Sequence, residues 1–574
     1  MDNNFTPFKR FIRLLSIDSR DIYAVYVYAV LNGLVYLSVP LGIQAIINLI
    51  QGGQTNSAWL LMILIVLLGL LVSGVIQILQ LSLVEILQRR IFVRSSFEMA
   101  YRIPHIRWEE LKKHYLPELV NRFFDTLTVQ KGLTKILFDF STAAIQIVFG
   151  LLLLAFYHPF FIGFGLLLVF LLYLIFRFTV RKGLETSLKE SKYKYKVVYW
   201  LEEIARTIGV FKLNPDSDLP LTRTNELVNM YLGSRKKHFR VLIVQFANMV
   251  GFKIVVAAGL LILGGILVFE QQMTLGQFVA AEIIILLIMN SVEKLILSIE
   301  TIYDVLTATE KIGQVTDLEL DPEHAHQLDM MGGENGLAIN MKGVRLFGSD
   351  KPEPIVDVEE LDIQSGEKIG IIGPPGSGKS TLLQLSAGFY QDYEGSIFYN
   401  GEQTLRTLNL SSLRREVGYN FGEDQLFAGT IYENIVAGRP GVGIDICKVM
   451  IDTVGLRPYI KELKMGWDTP VTAEGSNLSG GVKRKIVLAR ALASRPRLLL
   501  FEDNLQVIPA DQRTKIYEYM TRENAPWTLL ASTVQSNMLK KCDRIIVMDH
   551  GRIKAVGTYD ELIIRDDIKP LIDA

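Results

Sequence analysis

Long apolar runs alternate with charged stretches over roughly the first 300 residues of this 574-residue chain, and the pattern changes character beyond them. A helix needs about 20 apolar residues, at 1.5 Å each, to cross roughly 30 Å of hydrocarbon. Six runs qualify, at about 22–48, 58–83, 134–157, 159–178, 246–269 and 277–300. Only Tyr157-His158-Pro159 separates the third from the fourth, which predicts a tight hairpin. Runs such as LLMILIVLLGLLVSGVIQIL are too long for buried helices of a soluble core. Ahead of the first run, Phe8, Phe11, Ile12 and Leu15 share one helical face, with Lys9, Arg10 and Arg13 around it. That pattern, over about 5–18, suits a helix lying in the cytosolic membrane interface. The opening MDNNFTPFKRFIRLL lacks the short apolar core and cleavage site of a signal peptide, so the first run is expected to stay in the mature protein.

Basic residues set the expected orientation. The connections at 49–57, 157–159 and 270–276 contain no Lys or Arg. The two long connections are rich in them, from Arg89, Arg90 and Arg94 to Lys131, and from Arg181 and Lys182 to Arg240. The long connections, and both termini, are therefore expected in the cytosol. Their pattern is helical, without Gly/Pro-rich linkers, so they read as extensions of the membrane helices. The tips of those extensions, near 110–122 and 205–215, are expected to touch a cytosolic domain. Among the charges inside the apolar runs are Lys253, Glu282, Glu293 and Lys294. Lys253 is expected to snorkel toward the cytosolic surface. Glu282 reads equally as snorkelling or facing an aqueous cavity, and Glu293 and Lys294 are assigned to the helix interface.

Composition adds exclusions. Sixty basic and sixty acidic residues give a formal net charge of zero, so no nucleic-acid partner is expected. The two cysteines, Cys447 and Cys542, form neither a disulfide framework nor a zinc spacing. The reading is a membrane domain at 1–310, a linker at 311–336 ending in MMGGENG, and a soluble domain at 337–574.

That last domain carries the chemistry. A strand at Lys368–Ile372 runs into Gly373, Pro374, Pro375, Gly376, Ser377, Gly378, Lys379, Ser380 and Thr381, and then into a helix. Glycines let backbone amides turn toward phosphate oxygens, and the helix N-terminus adds partial positive charge. Lys379 can reach the β/γ phosphates and Ser380 can ligate Mg²⁺. About 100 residues on, Leu478-Ser479-Gly480-Gly481-Val482 opens another helix with small residues, suited to a phosphate approached from the opposite face of an ATP. Two such elements imply composite sites between paired domains.

On these residues the chain resembles the ABC transporter family over essentially its whole length, and in particular the exporters that include hemolysin-type protein secretion systems. The resemblance implies an all-α transmembrane domain of six helices followed by an α/β P-loop ATP-binding domain. Ser479, Gly480 and Gly481 then match the signature motif, and Phe347 the aromatic that stacks on adenine. ATP and Mg²⁺ are the implied ligands. A second half-transporter, a lipid membrane and, for the secretion branch, a periplasmic adaptor protein are the implied surroundings. The secretion branch often carries an N-terminal cysteine-peptidase domain; this chain starts almost directly at the membrane, so no cargo processing is expected of it.

Several positions depart from the family's pattern. Its acidic strand ends in Asp-Glu, whereas RPRLLLF here ends in Glu502-Asp503. Glu502 can still hold a magnesium-bound water. Asp503 stands where a carboxylate polarises the attacking water, one methylene shorter, and errors of about 1 Å cost on the order of 10²-fold in rate. Gly422 replaces the glutamine of the glutamine loop, with Gln425 three residues on, and Val534 replaces the switch histidine. Asn504 to Pro509 do not match the loop that joins the two sites, and Val482 replaces a glutamine. The expectation is a chain that binds ATP better than it hydrolyses it, unless Gln425, Ser532 or Gln535 fill the vacated roles. Three functions remain open: an exporter of peptide or protein, a nucleotide-gated scaffold or sensor, and a lipid or small-molecule exporter.

Overall fold

The computed structural model describes residues 6–53, 57–324, 326–328, 336–348, 352–401, 403–420, 422 and 425–572. They divide into two compact units, Met1–Pro104 with His114–Leu318, and His105–Lys113 with Glu319–Ala574.

The first unit is helical. In chain order its helices are α1 (Pro7–Ser16), α2 (Ser19–Tyr36), α3 (Ser38–Gln51) and α4 (Ser57–Arg102), and then, past α5 (Trp108–Lys112) of the second unit, α6 (Leu116–Asn121), α7 (Asp125–Thr134) and α8 (Ser141–Tyr157). It ends with α9 (Phe160–Arg206), α10 (Ile208–Leu213), α11 (Leu219–Phe269) and α12 (Leu275–Thr316). Six helical segments are long and apolar enough to cross a membrane, matching the six runs in the sequence. The first differs from a simple rod because α2 stops at Tyr36 and α3 restarts at Ser38. Pro40 has no N–H to offer the carbonyl of Tyr36, so the helical ladder is interrupted at that point. The third enters through a π-helical turn at Lys135–Phe140.

The helices overrun the apolar runs by several turns, and α12 continues to Thr316, so the beginning of the expected linker is helix. The polar residues there hide a helical period: Tyr303, Val305, Leu306, Ile312 and Val315 continue the buried face, which Lys311 joins, while Asp304 and Asp317 are exposed. Lys253 does not simply snorkel. Its Nζ lies 2.5 Å from Glu293 Oε2 and ties α11 to α12, which removes the cost of two isolated charges among apolar side chains. Glu282 and Lys294 are exposed on α12. The helix expected at about 5–18 is α1, held to α12 by Arg10, which pairs with Glu310 and with Asp317.

In the second unit the strands are β1 (Ile339–Phe347), β2 (Pro354–Ile363), β3 (Lys368–Ile372), β4 (Glu394–Tyr399), β5 (Gln403–Thr404) and β6 (Val417–Asn420), then β7 (Gly429–Thr430), β8 (Pro470–Val471), β9 (Leu498–Glu502), β10 (Thr528–Ser532), β11 (Arg544–Asp549) and β12 (Arg552–Gly557). Ten of them form one sheet in the order β5-β4-β1-β2-β12-β11-β3-β10-β9-β6. The run β11-β3-β10-β9-β6 is parallel, and its strands are almost continuously apolar because both faces are covered. Cys447 and Cys542 are free and buried.

The segment His105–Lys113, expected within the membrane domain, belongs to this unit. Trp108 packs on Phe389 with ring centroids 4.9 Å apart. Glu109 Oε1 accepts the backbone N–H groups of Gln391 and Asp392, at 2.5 and 3.1 Å. The other expected tip, α10, leaves Ile208, Val210 and Leu213 exposed.

A close helix contact in the first unit joins α9 to α12. A Cβ at Gly183 would stand 2.2 Å from Cζ of Tyr303, which is fully buried and takes a 2.8 Å hydrogen bond from Gln245 Nε2. Gly183→Ala is therefore expected to destabilise the membrane unit by about 1–3 kcal/mol through overpacking. Thermal unfolding in detergent checks this, and adding Tyr303→Leu should restore part of the lost stability by making room.

Candidate nucleotide site

β3 is buried at every residue and lies between β11 and β10, so it delivers the following loop to the C-terminal edge of the parallel strands. The loop closes only with glycine at two positions. At Gly373 a Cβ would meet the Met548 carbonyl oxygen at 2.1 Å, and at Gly378, with φ +94°, it would meet that of Ile355 at 2.7 Å. Pro374 and Pro375 carry no N–H, so the donors of the loop come from Gly376 to Thr381, where α13 (Lys379–Ser386) begins. The first amides of a helix have no partner within it and are free to meet an anion. Lys379 Nζ donates to the carbonyls of Gly373 and Pro374, at 2.8 and 2.9 Å, and so sits inside the curve of the loop. Burial lowers its pKa, and the negative charge of Glu502 opposes that shift.

Glu502 ends β9 one strand beyond the loop's neighbour. Its carboxylate accepts the Tyr419 hydroxyl at 3.1 Å and the Gly422 N–H at 3.3 Å. A Cβ at position 422 would stand 3.1 Å from Glu502 Oε2. The longer acidic side chain and the missing side chain at 422 therefore fit one another. Asn504 Nδ2 donates to the Gly422 carbonyl, and Asn420 Nδ2 to the Glu502 carbonyl, closing a small polar network between the ends of β6 and β9. Ser380 is exposed at the start of α13. Its hydroxyl and the Glu502 carboxylate are the hard oxygen donors that Mg²⁺ takes, alongside phosphates and water, so the residues present fit that ion.

Asp503 is differently placed. Its Oδ2 accepts the Tyr517 hydroxyl at 2.8 Å and the Thr533 hydroxyl at 2.6 Å, and its Oδ1 accepts the Leu505 N–H at 3.1 Å. Three of the roughly four acceptor positions of a carboxylate are thus used within the protein. Burial and the nearby Asp503 charge raise the Tyr517 phenol well above its ordinary range, so it remains a donor.

The remaining candidates are distributed around this centre. Phe347 ends β1 and is 45% exposed, as an aromatic face open to a ring requires. Ser479 caps the helix Gly480–Ala493 without a side-chain capping bond, and Ser479 and Gly480 are exposed. No hydrogen bond among the described residues joins Ser479–Gly481 to Gly373–Thr381. Val534 is exposed beside Thr533, and the Gln535 N–H is bonded to the Thr533 hydroxyl. The Gln425 carbonyl accepts from Arg490, and the Ser532 carbonyl from the Asp503 N–H. Sequence reasoning missed Tyr419, Asn420, Tyr517 and Thr533. They reach Glu502 and Asp503 from other strands and a helix, and no local spacing announces such contacts.

The ABC transporter profile matches residues 356–505, and that of the ABC transporter transmembrane region matches residues 22–292. The alpha-hemolysin translocation ATP-binding protein of Escherichia coli O157:H7 is 30% identical over 57% of this chain and 46% of its own length. The leukotoxin export ATP-binding protein of Aggregatibacter actinomycetemcomitans is 29% identical over the same shares. A multidrug efflux ATP-binding/permease protein of Mycobacterium bovis is 36% identical over 38% of this chain and 18% of its own. The chain thus spans less than half the length of the curated relatives it matches. The structure of a bacterial Atm1-family ABC exporter with ATP bound superposes with a TM-score of 0.83 at 19% identity, covering 96% of this chain and 97% of that one. Both halves of the chain carry the family's own domains in the family's order, with the fold of an ABC exporter, and the chain belongs to the ABC transporter family.

Proposed function

We propose that the chain is a half-transporter of an ATP-driven exporter that binds nucleotide firmly and hydrolyses it weakly. The observation that carries this reading is the contrast between two side chains. Lys379 is seated in a glycine-built loop at the edge of the sheet, whereas Asp503 is committed to Tyr517, Thr533 and the Leu505 N–H. Lys379 and the amides of Gly376–Thr381 hold the phosphates, and Phe347 offers a face to the base. Ser380 and Glu502 hold Mg²⁺, which when bound supplies positive charge against the phosphate oxygens. Asp503 is the carboxylate nearest in sequence for orienting water, and its internal hydrogen bonds draw it away from that task. Ser479 and Gly480 are exposed and Gly481 is half-buried beside them, open to a nucleotide held by another copy or another half-transporter, which makes the working unit a dimer. The lysine and arginine distribution supports a cytosolic nucleotide domain, and bacterial relatives support the inner membrane.

Likeness to alpha-hemolysin translocation and leukotoxin export proteins supports peptide or protein cargo passed to a periplasmic adaptor. A second reading, a nucleotide-gated scaffold with negligible turnover, is favoured by the same Asp503 geometry. Turnover by the purified chain in lipid separates the two.

Lys379→Ala is expected to weaken ATP binding about ten- to a hundredfold, the loss of charge-assisted hydrogen bonds, as read by equilibrium nucleotide binding. Asp503→Glu, which extends the carboxylate by one methylene, is expected to raise ATP turnover about tenfold or more while leaving nucleotide affinity within a factor of two. Gly422→Gln and Glu502→Asp are each expected to weaken Mg-dependent nucleotide binding. Combined, they should lose less than the sum, with a coupling of about 1 kcal/mol or more, because the shorter acid vacates the space that the longer loop residue needs.

A further inference from the structure

A cavity of about 800 Å³ opens within the helical unit between α6, α9 and α12, bordered by Thr6 and Pro7 at the start of α1. Its walls carry four cations from three places in the chain: Lys192 and Lys196 one turn apart on α9, Lys311 on α12 and Arg122 after α6. Its carboxylates, Glu118 and Glu310, are already engaged, Glu118 by Arg122 at 3.1 Å and Glu310 by Arg10. Lys311 is only 7% exposed, and its ammonium has no hydrogen-bond acceptor among the described residues. It lies 5.2 Å above the ring of Tyr195, whose hydroxyl is bonded to the buried Asp125. Arg122 donates to Gln314 and Glu118 through its terminal nitrogens, while its Nε is buried without a hydrogen-bond partner. Burial and the charge of Arg122 both lower the Lys311 pKa, which Asp125, Glu118 and Glu310 only partly offset.

Lys311 brings its ammonium to the cavity wall with no acceptor from the described residues, and Arg122 leaves a buried guanidinium N–H unpaired, which is costly; an anion in the cavity would meet both. We propose that this cavity is a binding site for a phosphate-bearing anion larger than inorganic phosphate, held by Lys311 and Arg122 at its base and by Lys192 and Lys196 at its mouth. Tyr195 and Tyr199 line the α9 wall and leave room beside the phosphate for an uncharged portion of the ligand. Such an anion bridges α9 to α12 and favours the helix arrangement in which those cations converge. The site is separate from the nucleotide loop and does not rest on the reading of Asp503. The same chemistry is offered by a soluble polyphosphate and by the headgroup of an anionic phospholipid.

The test uses the full chain carrying Lys379→Ala, which weakens anion binding at the nucleotide loop, reconstituted in phosphatidylcholine nanodiscs. Calorimetric titration with pyrophosphate is expected to show saturable binding that weakens steeply with salt. Lys311→Met is expected to weaken it about tenfold or more while leaving the unfolding temperature unchanged or raised, since it removes a buried charge. Lys192→Gln/Lys196→Gln is expected to weaken it about fivefold. Repeating the titration in nanodiscs containing phosphatidylglycerol distinguishes the sources. Competition by the lipid supports a headgroup as the occupant, and undiminished pyrophosphate binding supports a soluble one. No saturable binding of pyrophosphate, or binding indifferent to both sets of substitutions, overturns the proposal.

Discussion

The Met548 carbonyl oxygen, which would lie 2.1 Å from any Cβ at residue 373, sets the constraint on which the nucleotide site depends. Because β3 is buried at every position, its direction is dictated by its neighbours β10 and β11. The chain leaving it must turn at once, against a carbonyl, and only glycine permits the turn. The turn places the carbonyls of Gly373 and Pro374 around Lys379 and leaves the amides that open α13 facing outward. What Lys379 and the start of α13 offer a phosphate follows from that geometry and does not depend on the residues at which this chain departs from its family.

The departures form two local solutions rather than a scattering of losses. Glu502 is longer than the family's aspartate, and Gly422 lacks the family's side chain. The two meet, with Tyr419 and Asn504 completing the arrangement. Asp503, shorter than the family's glutamate, meets Tyr517 and Thr533 and turns into the structure. The first arrangement preserves an acid near the cation position. In the proposed function, the second withdraws an acid from the position where water is activated.

Six membrane runs, the phosphate loop and the helix opened by Ser479 were legible in the sequence because each is local: a length of apolar residues, or glycines at fixed spacing. The helical break before Pro40 follows an equally local rule. The end of α12 was missed because polarity was read without its period, although Tyr303, Leu306, Ile312 and Val315 continue one buried face. The Lys253–Glu293 pair and the partners of Asp503 were invisible for another reason. Each joins elements whose adjacency is created by packing, as with Asp503 and Thr533 across β9 and β10, and no one-dimensional pattern encodes it.

The central claim is that nucleotide binding and nucleotide turnover are uncoupled in strength in this chain. The most direct measurement is the ATP affinity and the steady-state turnover of the purified full-length chain in lipid, determined on the same sample with Mg²⁺ present. The account predicts saturable ATP binding together with turnover below about 0.1 s⁻¹, under the 1–10³ s⁻¹ range usual for enzymes. Turnover of about 10 s⁻¹ by the chain alone would contradict it, because Asp503 would then have to be free to act on water despite its bonds to Tyr517 and Thr533.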